Sequence, residues 1–221
     1  MIQTINLFKT YRIDSGEVNA LRGINLVIPP GSFNFIIGPS GSGKSTLLYL
    51  LGALDRPTQG QVIIEDKDLN TLSDYERSLF RRQKVGFIFQ SFNLIHNLTV
   101  LENVLVPLLP VKIKSADRQR AIDLLKSLGL SKRLGHQANR ISGGEEQRVA
   151  IARALIKQPL IILADEPTGE LDTKTATEIF NIFRRINREQ NTTLIIVTHN
   201  TKFIEPKDRI YKLQDGSILL E

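Results

Sequence analysis

The chain has 221 residues, 41% of them apolar, which is enough to bury a full core in one elaborated domain. It has no cysteine, which excludes disulfides and thiolate metal sites. The net charge is +6, but the cations are scattered among acids (Arg81-Arg82-Gln83-Lys84 and Lys132-Arg133 are short clusters), so a solvated surface is expected and no nucleic acid partner.

In chain order, residues 2–7 and 18–28 are rich in β-branched and apolar residues and predict strands, with Asp14-Ser15-Gly16 as the turn between them. Pro29-Pro30-Gly31 ends that section. Residues 32–37 predict a buried strand. A glycine loop follows, then a helix from Ser45 to residue 51 with its apolar side inward. Pro57-Thr58-Gln59-Gly60 predicts a turn, and residues 61–64 a short strand. Ser73 opens a helix carrying Asp74 and Glu76 in its first turn, as a helix N-terminus prefers. Residues 85–89 are a compact apolar strand. From 91 to 158 the character turns helical: apolar residues at 121, 122, 124, 125 and 128 have helical spacing, and 143–157 is a second helix. The apolar run 104–111 is broken by Pro107 and Pro110, and no stretch approaches the roughly 20 apolar residues of a spanning helix. Nothing at the start has the basic-then-apolar pattern of a secretory leader. After Pro159 the alternation returns, with strands at 160–164 and 193–197. Between them a helix at 173–189 turns Ile179, Phe180, Ile182, Phe183 and Ile186 inward. Residues 210–213 and 217–220 flank an Asp215-Gly216 turn and predict a hairpin. The expectation is an α/β nucleotide-binding core interrupted by a helical insert.

Four stations carry chemistry. The loop Gly38, Pro39, Ser40, Gly41, Ser42, Gly43, Lys44, Ser45 and Thr46 fits Gly, four residues, Gly-Lys-Ser, between a strand and a helix. Glycines let backbone N–H groups curl toward phosphate oxygens, and the helix dipole adds partial positive charge. Lys44 is expected to bridge the β- and γ-phosphates, and Ser45 to hold Mg²⁺. The strand 160–164 ends in Asp165, a metal partner, and Glu166, placed to deprotonate an attacking water. Gln90 and His199 each follow a strand and can reach the metal, the water or the γ-phosphate. Ser142 N-caps a helix opened by Gly143 and Gly144, a second anion-binding helix N-terminus in the same chain.

In this order, Tyr11, the loop from Gly38 to Thr46, Gln90, Ser142-Gly143-Gly144, Asp165-Glu166, Gly169-Glu170-Leu171-Asp172 and His199 resemble the A-loop, Walker A, Q-loop, signature, Walker B, D-loop and H-loop of an ABC transporter ATPase subunit. The resemblance covers nearly the whole chain. It implies a P-loop NTPase fold with a RecA-like core and an N-terminal antiparallel β subdomain (1–90 and 159–221) and an inserted helical subdomain (91–158). It also implies ATP hydrolysis with Mg²⁺. Tyr11 is expected to stack on adenine. The metal set is Ser45, Gln90 and Asp165, and the catalytic set Glu166, His199 and Gln90. A second copy binds head to tail and supplies Ser142, Gly143, Gly144 and Glu145 to each nucleotide, and an integral membrane permease subunit places the assembly at the cytoplasmic face of the membrane. Leu54-Asp55-Arg56-Pro57-Thr58 and the segment Phe87-Ile88-Phe89-Gln90-Ser91-Phe92-Asn93-Leu94 look like the lipoprotein-releasing and macrolide-exporter branch. A regulator of cell-wall or division machinery, or a soluble ABC ATPase acting on ribosomes or DNA, are the alternatives. Two positions depart from the family's pattern. Ile141 and Glu145 stand where Leu and Gln are common, and Glu170 brings charge to the D-loop.

Overall fold

The computed structural model describes residues 1–14 and 16–219; Ser15 of the first predicted turn and Leu220 of the predicted hairpin lie outside the described residues. Among these residues the strands form two sheets. One is antiparallel, of order β2-β1-β4-β5, built from β1 (Ile2–Ile13), β2 (Gly16–Ile28), β4 (Gln59–Ile64) and β5 (Lys67–Asp68). The other has the order β10-β9-β3-β8-β7-β6, with β3 (Phe33–Ile37), β6 (Val85–Ile88), β7 (Ile161–Asp165), β8 (Thr193–Thr198), β9 (Arg209–Gln214) and β10 (Ser217–Leu219). Its strands from β9 to β6 are parallel neighbours, and β10 closes the edge as an antiparallel hairpin arm.

A parallel sheet covered on both faces needs strands that are apolar at every position. The three central strands come close to that, with Asn34 the buried polar exception inside β3, and their apolar residues alternate strictly. Phe33, Phe35, Ile162, Ala164, Leu194 and Ile196 point into one hydrophobic cluster, whereas Ile36, Ile161, Leu163, Ile195 and Val197 point into the other. The second cluster is completed by the antiparallel sheet and by α1 (Lys44–Leu51). The first is completed by α3 (Val100–Leu105), α4 (Ser115–Ser127), α5 (Gly143–Leu155) and α6 (Thr173–Gln190). α2 (Asp74–Lys84) leads into β6.

Helix starts are chemically marked. Ser73 with Glu76, Thr99 with Glu102 and Ser142 with Glu145 each form a reciprocal capping box, and Asp172 caps α6. The six-residue α3 was not separated out by periodicity, being too short for it, although the Thr99-x-x-Glu102 box was readable. No helix of the described residues is long and apolar enough to cross a membrane.

The topology places three of the four stations together. β3, β6, β7 and β8 run in parallel, so their C-terminal ends lie on one rim, the usual ligand side of an open α/β sheet. The loop at Gly38, Gln90, Asp165-Glu166 and His199 each follow one of those ends.

Candidate nucleotide site

The loop after β3 is shaped by glycines that nothing else can replace. A Cβ at Gly38 would meet the Leu213 carbonyl oxygen at 2.0 Å, and one at Gly43, whose φ is +99°, would meet that of Ala20 at 2.3 Å. Gly43 caps α1 without a side chain. The first N–H groups of α1 therefore remain for an external acceptor. Lys44 Nζ reaches back across the loop to donate to the carbonyls of Gly38 (2.9 Å) and Pro39 (2.8 Å). Ser42 Oγ is buried and, among the described residues, has no hydrogen-bond partner. Orphan donors and one buried cation form an arrangement suited to phosphate oxygens.

One turn of chain away, Ser45 Oγ donates to Asp165 Oδ1 at 3.1 Å. Burial pushes the Asp165 carboxyl above its ordinary value, against the Ser45 hydrogen bond, and the neighbouring Glu166 charge pushes the same way. A hydroxyl and a buried carboxylate facing one another are hard oxygen donors, and this pair fits Mg²⁺.

Glu166 is held by three contacts. Its Oε2 accepts from Thr198 Oγ1 at 2.9 Å, its Oε1 accepts from the His199 backbone N–H at 3.0 Å, and His199 Nδ1 lies 2.8 Å from the same Oε1. The imidazole is mostly exposed while the carboxylate is largely covered. Gln90 is exposed at the end of β6, its Nε2 3.6 Å from where a Cβ on Gly169 would stand, with Glu166 Cβ 3.7 Å from that point. Tyr11 borders a cleft of 450 Å³ beside the loop, together with Ala20, Gly43, Thr46 and Gly216. Its hydroxyl donates to Asp55 Oδ2 at 2.9 Å, and Asp55 is itself paired with Lys9 Nζ at 2.8 Å.

Among the described residues no hydrogen bond or ion pair joins Ser142, Gly143, Gly144 or Glu145 to the loop from Gly38 to Thr46. Gly144 backs onto α6, where a Cβ would meet Thr175 Cγ2 at 2.6 Å. Glu145 turns back on its own helix start: Oε2 accepts from the Ser142 N–H at 3.0 Å, and Oε1 from Arg133 Nε at 2.8 Å. Burial acts to raise the Glu145 carboxyl, but Arg133 and the Ser142 N–H outweigh it and hold it below its ordinary value. The charge brought by this departure from the common signature is thus engaged within the chain.

Three side chains carry contacts that the sequence does not disclose. Thr198 binds Glu166, Gln147 Nε2 donates to the Pro167 carbonyl, and Arg153 donates to the carbonyls of Phe92 and Asn93. The last two tie α5 to the segments after β7 and β6. Beside them runs a groove of 430 Å³ with Phe87, Phe89 and Pro107 among its walls. Four cations, Arg81, Arg82, Arg153 and Lys157, and no carboxylate line it among the described residues.

Residues 21–169 match the family model described as ABC transporter. The lipoprotein-releasing system ATP-binding protein LolD of Legionella pneumophila is 45% identical over 96% of this chain and 94% of its own length. The macrolide export ATP-binding/permease protein MacB of Rhodopirellula baltica is 44% identical over 99% of this chain, which spans 32% of that longer protein. A dimeric ABC transporter cassette from Methanocaldococcus jannaschii superposes with a TM-score of 0.91 at 45% identity, covering 99% of this chain and 96% of that one. The same cassette has a solved post-hydrolysis dimer bound to ADP and Pi.

Proposed function

The chain belongs to the ABC transporter family, and we propose that it is the ATP-hydrolysing subunit of a membrane ABC system of the lipoprotein-releasing and macrolide-exporter type. The observation that carries this reading is the split of its phosphate-binding elements. The loop after β3 lies with Asp165, Glu166 and His199 on one rim, while among the described residues the Ser142 helix start shares no bond with that loop. A site so divided is completed by a second copy, and the dimeric state of the similar cassette supports that arrangement.

The residues then have distinct tasks. The N–H groups of the loop and Lys44 hold the phosphates of ATP. Ser45 and Asp165, with Gln90 from the neighbouring strand end, would hold Mg²⁺, which would supply positive charge against the phosphates. Glu166 accepts the proton of the attacking water. His199 keeps that carboxylate oriented and offers its ring to the γ-phosphate side. Tyr11 supplies an aromatic face to adenine. Ser142, Gly143 and Gly144 of the second copy close the far side.

Residues 91–158 form the subdomain that presents this signature. The groove between it and β6 receives the membrane subunit, and its aromatic floor and four cations suit an amphipathic segment carrying acids. The chain thereby works at the cytoplasmic face of a membrane.

Glu166→Gln tests the reading. The variant is expected to lose turnover by about 10²- to 10⁴-fold and to accumulate as a dimer when ATP and Mg²⁺ are present in size-exclusion chromatography. A persistent monomer with undiminished ATPase activity refutes both the role and the dimer. Identifying the membrane protein that co-purifies with the chain separates export from control of cell-wall enzymes.

A further inference from the structure

The Ser142 helix start already has an anion on it, and that anion has its own cation. Glu145 Oε2 lies 3.0 Å from the Ser142 N and 3.3 Å from Ser142 Oγ, so both Ser142 donors are aimed at this carboxylate. Under the proposed function, on which this inference rests, the same donors must face the terminal phosphate of nucleotide held by the second copy. Glu145 is therefore a competitor for the donors and, as a like charge, a repellent.

Arg133 alters that balance. Its Nε donates to Glu145 Oε1 at 2.8 Å, on the side of the carboxylate away from Ser142. Its Nη groups make no hydrogen bond among the described residues, and its side chain is 42% exposed. The backbone around it is firmly placed. Arg133 N–H donates to the Leu130 carbonyl at 2.9 Å, the His136 N–H donates to Arg133 at 2.9 Å, and the flanking carbonyls of Leu134 and His136 receive the first N–H groups of α3. The cation thus stands on a built turn beside α5. It offsets the carboxylate charge at Oε1 while Oε2 stays on Ser142.

We propose that Arg133 is a positioning residue for the nucleotide-dependent pairing of two copies: it neutralises Glu145 so that Ser142, Gly143 and Gly144 can accept the phosphate. The dependence is conditional. Arg133 matters because residue 145 is a glutamate, and with a neutral residue there its contribution disappears.

The test uses the full chain with Glu166→Gln, in Mg²⁺, and reads by light scattering the ATP concentration that half-saturates pairing. Arg133→Gln is expected to raise this midpoint about three- to tenfold, and more at low salt than at high salt. Arg133→Lys, which keeps the charge, is expected to return it close to the parent value. Combined with Glu145→Gln, Arg133→Gln is expected to change the midpoint by less than about twofold. Equal losses with Glu145 and with Glu145→Gln overturn the inference while leaving the functional reading intact. A parent chain that does not pair at any ATP concentration overturns the functional reading, and this inference with it.

Discussion

Glu166 has a backbone φ of +43°, a left-handed conformation that typically costs a non-glycine residue about 1–3 kcal/mol. Its N–H bonds the Val197 carbonyl at 2.9 Å and its carbonyl receives the Gly169 N–H at 3.0 Å, so β8 and the turn both fix that backbone. The side chain then meets Thr198, the last residue of β8, and His199, which follows it. Thr198→Val removes one of these donors without changing the shape of the side chain. We expect kcat to fall about tenfold, the usual scale for a lost charge-assisted hydrogen bond, with KM for ATP little changed and Thr198→Ser recovering most of the rate. A parallel rise in KM shows instead that the loop itself has been disturbed. Asp165, Glu166 and the loop from Gly38 to Thr46 were legible in the sequence because they need particular residues at fixed spacing. Thr198 was not, because a 2% exposed threonine inside a strand reads only as a buried β-former.

At the scale of elements, the strands of the larger sheet were readable as apolar runs, and α6 as a helix from its periodicity. Their spatial order was not, since a run buried on both faces carries no mark of which strand lies beside it. Nor did the sequence disclose how α6 is joined to the segment after His199. Arg184 lies 8% exposed on α6, its guanidinium 3.7 Å from the Phe33 ring centre, and it forks onto Asp208, whose side chain is fully covered. Its Nη2 also donates to the Phe203 carbonyl at 3.0 Å. Phe203 stacks on Phe180 with ring centres 4.1 Å apart. Asp208→Ala removes the fully covered partner of this guanidinium and leaves it Glu205, half exposed, whose Oε1 lies 3.4 Å from Nε. We expect a loss of about 3–5 kcal/mol in urea unfolding. A loss below about 1 kcal/mol is the value for an exposed pair, and finding it would remove this clasp from the account of how the rim is held.

For the whole molecule, stability should carry a signature of the cationic groove. Burial, with Arg82 adding to it, lowers the Lys157 ammonium from its ordinary value of 10.5 to about 8. Between those two pH values the unfolded chain holds a proton that the folded chain does not, so this group makes stability rise with pH. Below pH 8 its full penalty is present. Lys157→Met is therefore expected to raise stability at pH 7 by about 1 kcal/mol after allowance for solvent screening, roughly 2–4 °C in Tm. The gain should shrink as pH approaches 10.5, and calorimetry showing the same gain at both pH values refutes the burial argument. The need for a second copy was legible only as the presence of two anion-binding helix starts in one chain, because periodicity describes each element and not their separation. The placement of Tyr11 has an optical consequence. The chain has no tryptophan and four tyrosines. Tyr11 borders the cleft beside Lys44, and Tyr49 interacts with Asp165. One of the four chromophores that dominate its near-ultraviolet emission therefore borders the cleft and a second neighbours the Asp165 carboxylate, and the unlabelled protein is its own fluorimeter for whatever enters there.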